Sequence, residues 1–318
     1  MIDKINLLKD KIKNAKSIGI AGHKNPDGDS LCSALAMMRL IEINFGKKAT
    51  VFYDGNIPQH LKYIPLREEA IFYKEIPENT KFDLFILVDY GTRAHLGGAE
   101  PFINNADFII EFDHHFNDDL VGSLCFDNEA KAATSQVILD VVNEADFEMD
   151  KETMDLLSLA IITDTGHFKF VRNSDVFRNM AYFVDNGVNI PELTDVLNHK
   201  KRKSILVESS AVANAEFFYR GKLALAYVKH DDYKKLDGRG DTVLSLLGQI
   251  DGVEAIVFLK EQRENQIGLS IRSKTVPIKE IAESLGGGGH EYAAGAVVCK
   301  PFEEVYNDVI NKFKGVLK

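Results

Sequence analysis

The sequence predicts an α/β fold in two domains, and three observations lead there. Short apolar runs alternate with longer amphipathic stretches over the first 190 residues. The texture then changes to closely spaced strand-like runs. At 318 residues the chain is long enough for two domains.

Ser17–Gly22 reads as a buried strand, followed by a helix from Ser30 through Leu40. Lys48–Tyr53, Leu84–Val88 and Phe108–Phe112 read as three further strands. Strands separated by helices imply a parallel sheet with helices on both faces. Helices are also expected at Ala132–Asn143 and Lys151–Thr163. Gly187–Lys203 is polar, contains Pro191 and ends in the basic run Lys200–Lys203. This places a first domain at 1–190, a linker at 191–203 and a second domain at 204–318. A helix from Ser204 to Tyr219 is expected to lead out of the linker. Beyond it, Leu223–Val228, Ala255–Lys260, Gln266–Arg272 and Ala296–Cys299 read as strands, with helices at Ile278–Ser284 and Glu303–Lys314. This is a smaller α/β unit on a mixed sheet.

Composition narrows the function. Hydrophobic residues make up 45% and charged residues 27%, as in ordinary folded proteins. Lys+Arg at 38 against Asp+Glu at 48 leaves a net charge of -10. Such a surface repels long duplex nucleic acid and anionic membranes. Small anionic substrates remain compatible where bound cations reverse the local charge. Cys32, Cys125 and Cys299 form no CxxC pair, which fits a reducing cytosol better than a disulfide framework or a thiolate zinc site. Met1–Lys16 has Ile5, Leu8 and Ile12 at helical spacing rather than the core of a secretory signal. No run reaches the roughly 18 apolar residues of a membrane span. A soluble, cytoplasmic protein is expected.

The chemistry collects behind the strands. His23, Asp27 and Asp29 follow the first strand, Asp89 follows Leu84–Val88, and Asp113, His114 and His115 follow Phe108–Phe112. In a parallel sheet these positions share the carboxyl edge, where open α/β sheets bind ligands. Asp164, at the end of an apolar helical run, closes the group. Asp27 or Asp29 alone would read as a turn residue or helix cap, and Asp89 alone as a turn. Adjacent imidazoles beside Asp113 serve no evident packing need, and four such clusters together indicate a functional site. Asp27, Asp29, Asp89 and Asp164 at close range carry four negative charges, which two divalent cations would cancel. Oxygen and imidazole donors without thiolate favour Mn²⁺ or Mg²⁺. Two such ions suit phosphoester hydrolysis.

The second domain carries Gly286-Gly287-Gly288-Gly289-His290 and Ala293-Ala294-Gly295. Such a loop leaves N–H groups open to a phosphate or sugar, although most glycine clusters are simple turns. Arg272-Ser273, at a strand end, would add a phosphate contact. Gly238-Arg239-Gly240-Asp241 reads as a turn.

Assembled, these motifs resemble the DHH phosphoesterase superfamily, named for the Asp-His-His found here at Asp113–His115. His23-x-x-x-Asp27-x-Asp29, Asp89, Asp113-His114-His115 and Asp164-Thr-Gly match its blocks. The glycine-rich segment resembles the DHH-associated C-terminal domain. Within the family, the chain is similar to bacterial nano-RNases, which are bifunctional oligoribonucleases and 3′-phosphoadenosine-5′-phosphate phosphatases. The resemblance implies two Mn²⁺ per chain, with Mg²⁺ or Co²⁺ as substitutes. One ion falls to His23, Asp27 and Asp89, and the other to Asp29, Asp89, His114 and Asp164. It implies catalytic roles for His115, Asp113 and Asp89: His115 contacts the scissile phosphate, Asp113 orients a neighbouring histidine, and Asp89 bridges the ions. Substrate binding falls to Arg272, Ser273, Gly287, Gly288, Gly289 and His290, across the cleft between the domains. Tyr90, where relatives often carry smaller residues, is expected to narrow the cleft or stack on a base. The implied partners are short single-stranded RNA or DNA oligonucleotides or small nucleotides, with a homodimer open to the chain.

Two other readings are carried forward. One is a phosphodiesterase for cyclic or linear dinucleotide messengers. The other is a nucleotide-binding sensor on an inactive hydrolase fold, disfavoured because every expected ligand position is filled.

Overall fold

Unbroken apolar runs along the strands of the first half give the sheet two apolar faces, and both are covered. The computed structural model describes residues 1–116, 119–171, 173–237, 240–289 and 291–317. They divide into two compact units, Met1–His199 and Lys200–Lys318.

In the first unit, β1 (Ile18–Ala21), β2 (Thr50–Tyr53), β3 (Ala70–Phe72), β4 (Leu84–Val88), β5 (Phe108–Asp113) and β6 (Leu124–Asp127) form a six-stranded sheet in the order β3-β2-β1-β4-β5-β6. Every pairing in it is parallel. Its helices are α1 (Ile2–Asn14), α2 (Gly28–Phe45), α3 (Glu100–Asn104), α4 (Thr134–Ala145), α5 (Lys151–Asp164), α6 (Asp175–Asp185) and α7 (Ile190–Asn198). Ile18, Ile20, Ile86 and Phe112 face one core with Leu8 of α1, Leu35 of α2, Ile138 of α4 and Leu157 of α5. Phe52, Phe85 and Leu87 face the other, with Leu96 and with Phe102 of α3. Strand order reverses between β1 and β4, which opens a crevice at their carboxyl ends. The α/β class with helices on both faces is therefore observed. Strands β3 and β6 are additional to the expected set; β3 has only three residues, and β6 carries Cys125 and the exposed Asp127 in place of an unbroken apolar run.

The stretch 191–203, expected as a linker, lies mostly in helices. Asn189 caps α7 by accepting from the Glu192 N–H, and Pro191 stands in its first turn, where a missing N–H is harmless.

The second unit holds α8 (Arg202–Ala213), β7 (Glu216–Phe218), β8 (Leu223–Val228), α9 (His230–Tyr233), α10 (Asp241–Gly248), β9 (Ala255–Arg263), β10 (Gln266–Ser273), α11 (Lys279–Glu283), β11 (Gly288–Gly289), β12 (Ala293–Val298) and α12 (Phe302–Phe313). Its sheet runs β11-β12-β10-β9-β8-β7 and is mixed, with β8–β9 parallel and the other pairs antiparallel. The helix expected over Ser204–Tyr219 is corrected. It ends at Ala213, and Glu216–Phe218 pairs with β8 as an edge strand. The two phenylalanines suit a pleated surface better than a helix end. Among the described residues, no helix is long and apolar enough to cross a membrane.

Candidate metal centre

At the end of β1 the chain turns tightly. A Cβ at Gly22 would lie 1.9 Å from Ser30 Oγ, the atom that accepts the His23 N–H at 3.1 Å. Asp27 is the N-cap of α2 and accepts from the Ser30 N–H at 3.1 Å. It therefore serves as helix cap and as a member of the site. Asp29, in the first turn of α2, is buried. Its Oδ2 accepts the Thr134 N–H at 2.6 Å, and its Oδ1 accepts the Ser135 N–H at 3.2 Å and the Ser33 hydroxyl at 3.0 Å. The N-terminus of α4 thus holds this carboxylate with free N–H groups and the helix dipole. A Cβ at Gly28 would fall 2.2 Å from Thr163 Oγ1, so glycine lets α2 approach α5 next to Asp164. Asp89 follows β4 with φ 52°, a left-handed conformation unusual for aspartate. Its Oδ1 accepts the Thr134 hydroxyl at 3.2 Å.

These turns bring the predicted ligand positions together. His23 Nε2 lies 3.6 Å from Asp27 Oδ2 and 3.7 Å from Asp89 Oδ2. His114 Nε2 lies 3.6 Å from Asp89 Oδ1, 3.4 Å from Asp164 Oδ2 and 4.0 Å from Asp29 Oδ2. Donor atoms of His23, Asp27 and Asp89 lie within 4.8 Å of one another, as do those of Asp29, His114 and Asp164. Each imidazole has Nδ1 against a main-chain carbonyl, His23 on Lys24 at 2.9 Å and His114 on Lys131 at 3.3 Å. An Nδ1–H donated there leaves the Nε2 lone pair pointing at carboxylate oxygens. His114 Nε2 is buried with no hydrogen-bond partner. Burial, together with Asp29 and Asp27, raises the Asp89 carboxyl well above its ordinary range. The same causes push Asp164 up to about 8. Lone pairs and charges converging in excess of the donors that reach them are what divalent cations neutralise, so the residues fit such ions.

Asp113 turns away from that set. Its Oδ2 accepts the Tyr90 and Gly91 N–H groups at 3.0 and 2.8 Å, and its Oδ1 accepts the His115 N–H at 2.9 Å. His115 Nδ1 lies 2.8 Å from the same Oδ1 and 3.4 Å from Asp89 Oδ1. The hydrogen bond to Asp113, opposed by burial, raises the His115 pKa.

Tyr90 requires a correction. It is 1% exposed and packs in the second core with Phe85 and Phe102, so it neither lines a cleft nor stacks on a base. Its hydroxyl donates to Glu111 Oε2 at 2.9 Å.

In the second unit, the Arg272 guanidinium donates to the Ile271 carbonyl at 3.0 Å, lies 3.7 Å from Asp241 and stays partly exposed. The Ser273 hydroxyl donates to the Glu254 carbonyl at 3.3 Å and accepts the Val276 N–H at 2.9 Å, which closes a turn. A Cβ at Gly287 would lie 2.0 Å from the Gly295 carbonyl oxygen, and one at Gly289 2.6 Å from that of Ala293. These glycines let β11 lie against β12, while Gly288 opens onto free space. His290, Gly238 and Arg239 lie outside the described residues.

Sequence reasoning missed Gly28, Ser33, Thr134 and Ser135. A Thr-Ser pair opening an amphipathic helix was the visible signal for the last two.

Carboxylates and imidazoles gathered at the crevice of a parallel sheet define a phosphoester hydrolase. The chain belongs to the DHH family: the DHH family, N-terminal domain matches residues 17–161, and the DHHA1 domain matches residues 221–318. It is 31% identical over 303 residues to the bifunctional oligoribonuclease and PAP phosphatase NrnA of Thermus thermophilus, covering 93% of this chain and 89% of that one. The Mycoplasma pneumoniae protein of the same description is 28% identical over 288 residues, covering 88% and 87%. Among solved structures, an exopolyphosphatase-related protein from Bacteroides fragilis has a TM-score of 0.88 at 19% identity, covering 99% of this chain and 97% of that one.

Proposed function

We propose that the protein is a manganese-dependent phosphoesterase of the cytoplasm that hydrolyses very short oligonucleotides and 3′-phosphoadenosine-5′-phosphate. The observation that carries this reading is Asp89, whose two carboxylate oxygens face the His23 and His114 imidazoles at 3.7 and 3.6 Å. His23, Asp27 and Asp89 would hold one Mn²⁺, and Asp29, Asp89, His114 and Asp164 the other. Oxygen and imidazole donors suit Mn²⁺, with Mg²⁺ or Co²⁺ as substitutes. When bound, two such ions polarise a phosphoryl group and lower the pKa of water.

The chain's own residues set the remaining steps. Asp113 fixes the His115 ring through Nδ1 and favours its protonated form. His115 Nε2–H then serves the departing ester oxygen as general acid. The N-terminus of α4 orients Asp29 and offsets part of the burial that raises its pKa. Arg272, Ser273, Gly287, Gly288, Gly289 and His290 would bind the rest of the nucleotide, Arg272 through a phosphate. A net charge of -10 favours substrates with few phosphates over a long strand. The substrates named for the Thermus thermophilus and Mycoplasma pneumoniae relatives agree with this choice.

The test is a Mn²⁺-supplemented rate panel over a dinucleotide, longer oligoribonucleotides, a long RNA, a cyclic dinucleotide and 3′-phosphoadenosine-5′-phosphate. The expected result is fastest turnover on the dinucleotide and on 3′-phosphoadenosine-5′-phosphate, abolished by Asp89→Asn. Rates that increase with RNA length, or none on any of the five, would overturn the reading.

A further inference from the structure

A second group of potential ligands lies on the β5–β6 strand pair, outside the cluster described above. A carboxylate oxygen of Glu111, the thiol of Cys125 and a carboxylate oxygen of Asp127 lie within 4.8 Å of one another. Glu111 and Cys125 are register partners across the two strands, and Asp127 pairs with Asp113 two residues further on. All three side chains therefore share one face of the pair.

Glu111 is fully buried, and its two oxygens are treated unequally. Oε2 accepts the Tyr90 hydroxyl at 2.9 Å, the Val121 N–H at 3.1 Å and the Gly122 N–H at 2.7 Å. Glycine at 122 makes this possible, since a Cβ there would lie 2.8 Å from Glu111 Cγ. Oε1 is buried and accepts no hydrogen bond of good geometry. Three donors satisfy one oxygen, and the buried second oxygen is left facing the Cys125 and Asp127 side without one. The nearby Cys125 thiol donates to the Gly122 carbonyl at 3.3 Å. Burial, then Glu111, push the thiol's pKa up to about 12, so a cation must displace its proton to bind. The neighbouring ammonium, Lys4, is directed elsewhere: its Nζ donates to the Cys125 carbonyl at 2.8 Å and lies 5.9 Å from the Phe126 ring centre.

We infer that Glu111, Cys125 and Asp127 form a binding site for a borderline-soft divalent cation of the Zn²⁺ or Co²⁺ type. Two carboxylates and a thiolate, with a fourth position left to water, match the preferences of such ions. The thiol separates this site from the manganese-type centre, whose donors are all oxygen and nitrogen. Burial, then Glu111 and Asp113, push the Asp127 carboxyl up to about 7, which is the crowding a cation would relieve. The inference is independent of the proposed substrate.

Cobalt provides the test, because a thiolate ligand gives Co²⁺ an intense near-ultraviolet charge-transfer absorption that oxygen and nitrogen ligands do not. The full chain carrying Cys299→Ser, which removes an exposed thiol, is preloaded with Mn²⁺ and titrated with Co²⁺ alone. The expected result is a charge-transfer band that saturates as Co²⁺ is added, with an end-point amplitude of one thiolate-bound cobalt per chain, whatever further Co²⁺ exchanges into the first centre. Adding Cys125→Ser should abolish the band, and Asp127→Asn should weaken cobalt affinity at least tenfold. Protection of Cys125 from alkylation by Co²⁺ in the Cys299→Ser protein gives a second readout, which does not depend on the Cys125 variant folding. Absence of both band and protection would overturn the inference, as would a band that persists undiminished in the Cys125→Ser protein.

Discussion

Thr134 holds Asp29 and Asp89 at once: its N–H donates to Asp29 Oδ2 at 2.6 Å, and its hydroxyl donates to Asp89 Oδ1 at 3.2 Å. Removing only the hydroxyl should leave the α4 N–H clamp intact while freeing Asp89. Thr134→Val is expected to weaken Mn²⁺ affinity or turnover by about 10–100-fold, as loss of a partner behind a ligand usually does. Isothermal titration with Mn²⁺, beside a circular dichroism spectrum matching the unmodified protein, checks this. Unchanged affinity and turnover would show the hydroxyl to be dispensable.

Gly28 predicts a steric effect. A methyl group placed 2.2 Å from Thr163 Oγ1 must push α2 and α5 apart. Gly28→Ala should cost about 1–3 kcal/mol of stability, the range for overpacking. It should also depress activity, because Asp27, Asp29 and Asp164 flank that crossing. Denaturant unfolding and a rate assay measure the two effects, and Thr163→Ala in the same chain, which removes Oγ1 and Cγ2, should recover part of each.

His115 is tested through the leaving group. If its imidazolium protonates the departing oxygen, His115→Ala should slow hydrolysis of a dinucleotide by about 10²–10⁴-fold. A nitrophenyl ester, whose leaving group needs no proton, should lose far less. Equal losses on both substrates would reassign His115 to binding.

Chelation and pH form the fourth case. Burial, with Asp29 and Asp27, pushes Asp164 up to about 8. A carboxyl with a higher pKa in the folded than in the unfolded state holds its proton more tightly when folded. Stability of the metal-free protein therefore falls as pH rises from about 4, the unfolded value, towards that folded value. The melting temperature of chelator-treated protein should drop across this window, and Asp164→Asn should flatten the slope. A melting curve independent of pH would contradict the crowding of these carboxylates.

The sequence revealed the parts of the site with local signatures and hid those made by tertiary approach. His23, Asp27, Asp29, Asp89 and His114 stand behind apolar strand runs, so strand topology predicts their convergence, while Asp164, the last residue of α5, was visible as the end of an apolar helical run. The five-residue β4, buried throughout, was equally visible. Thr134 was hidden because its role depends on a helix N-terminus meeting a residue 105 positions away. Tyr90 was misread because its neighbour Asp89 adopts a left-handed turn, and nothing in the spacing discloses that the ring then enters the core. Pro191 looked like a linker residue, although its missing N–H suits the first turn of α7.

The contact between Gly28 and Thr163 bears on how this lineage can vary. Two positions far apart in the chain share too little room for both to grow. Homologues carrying a larger residue at the first must have trimmed the second, so the pair should show correlated drift in a family alignment. A chimera that exchanges only one of the two between distant members should fold poorly, and exchanging both should restore it.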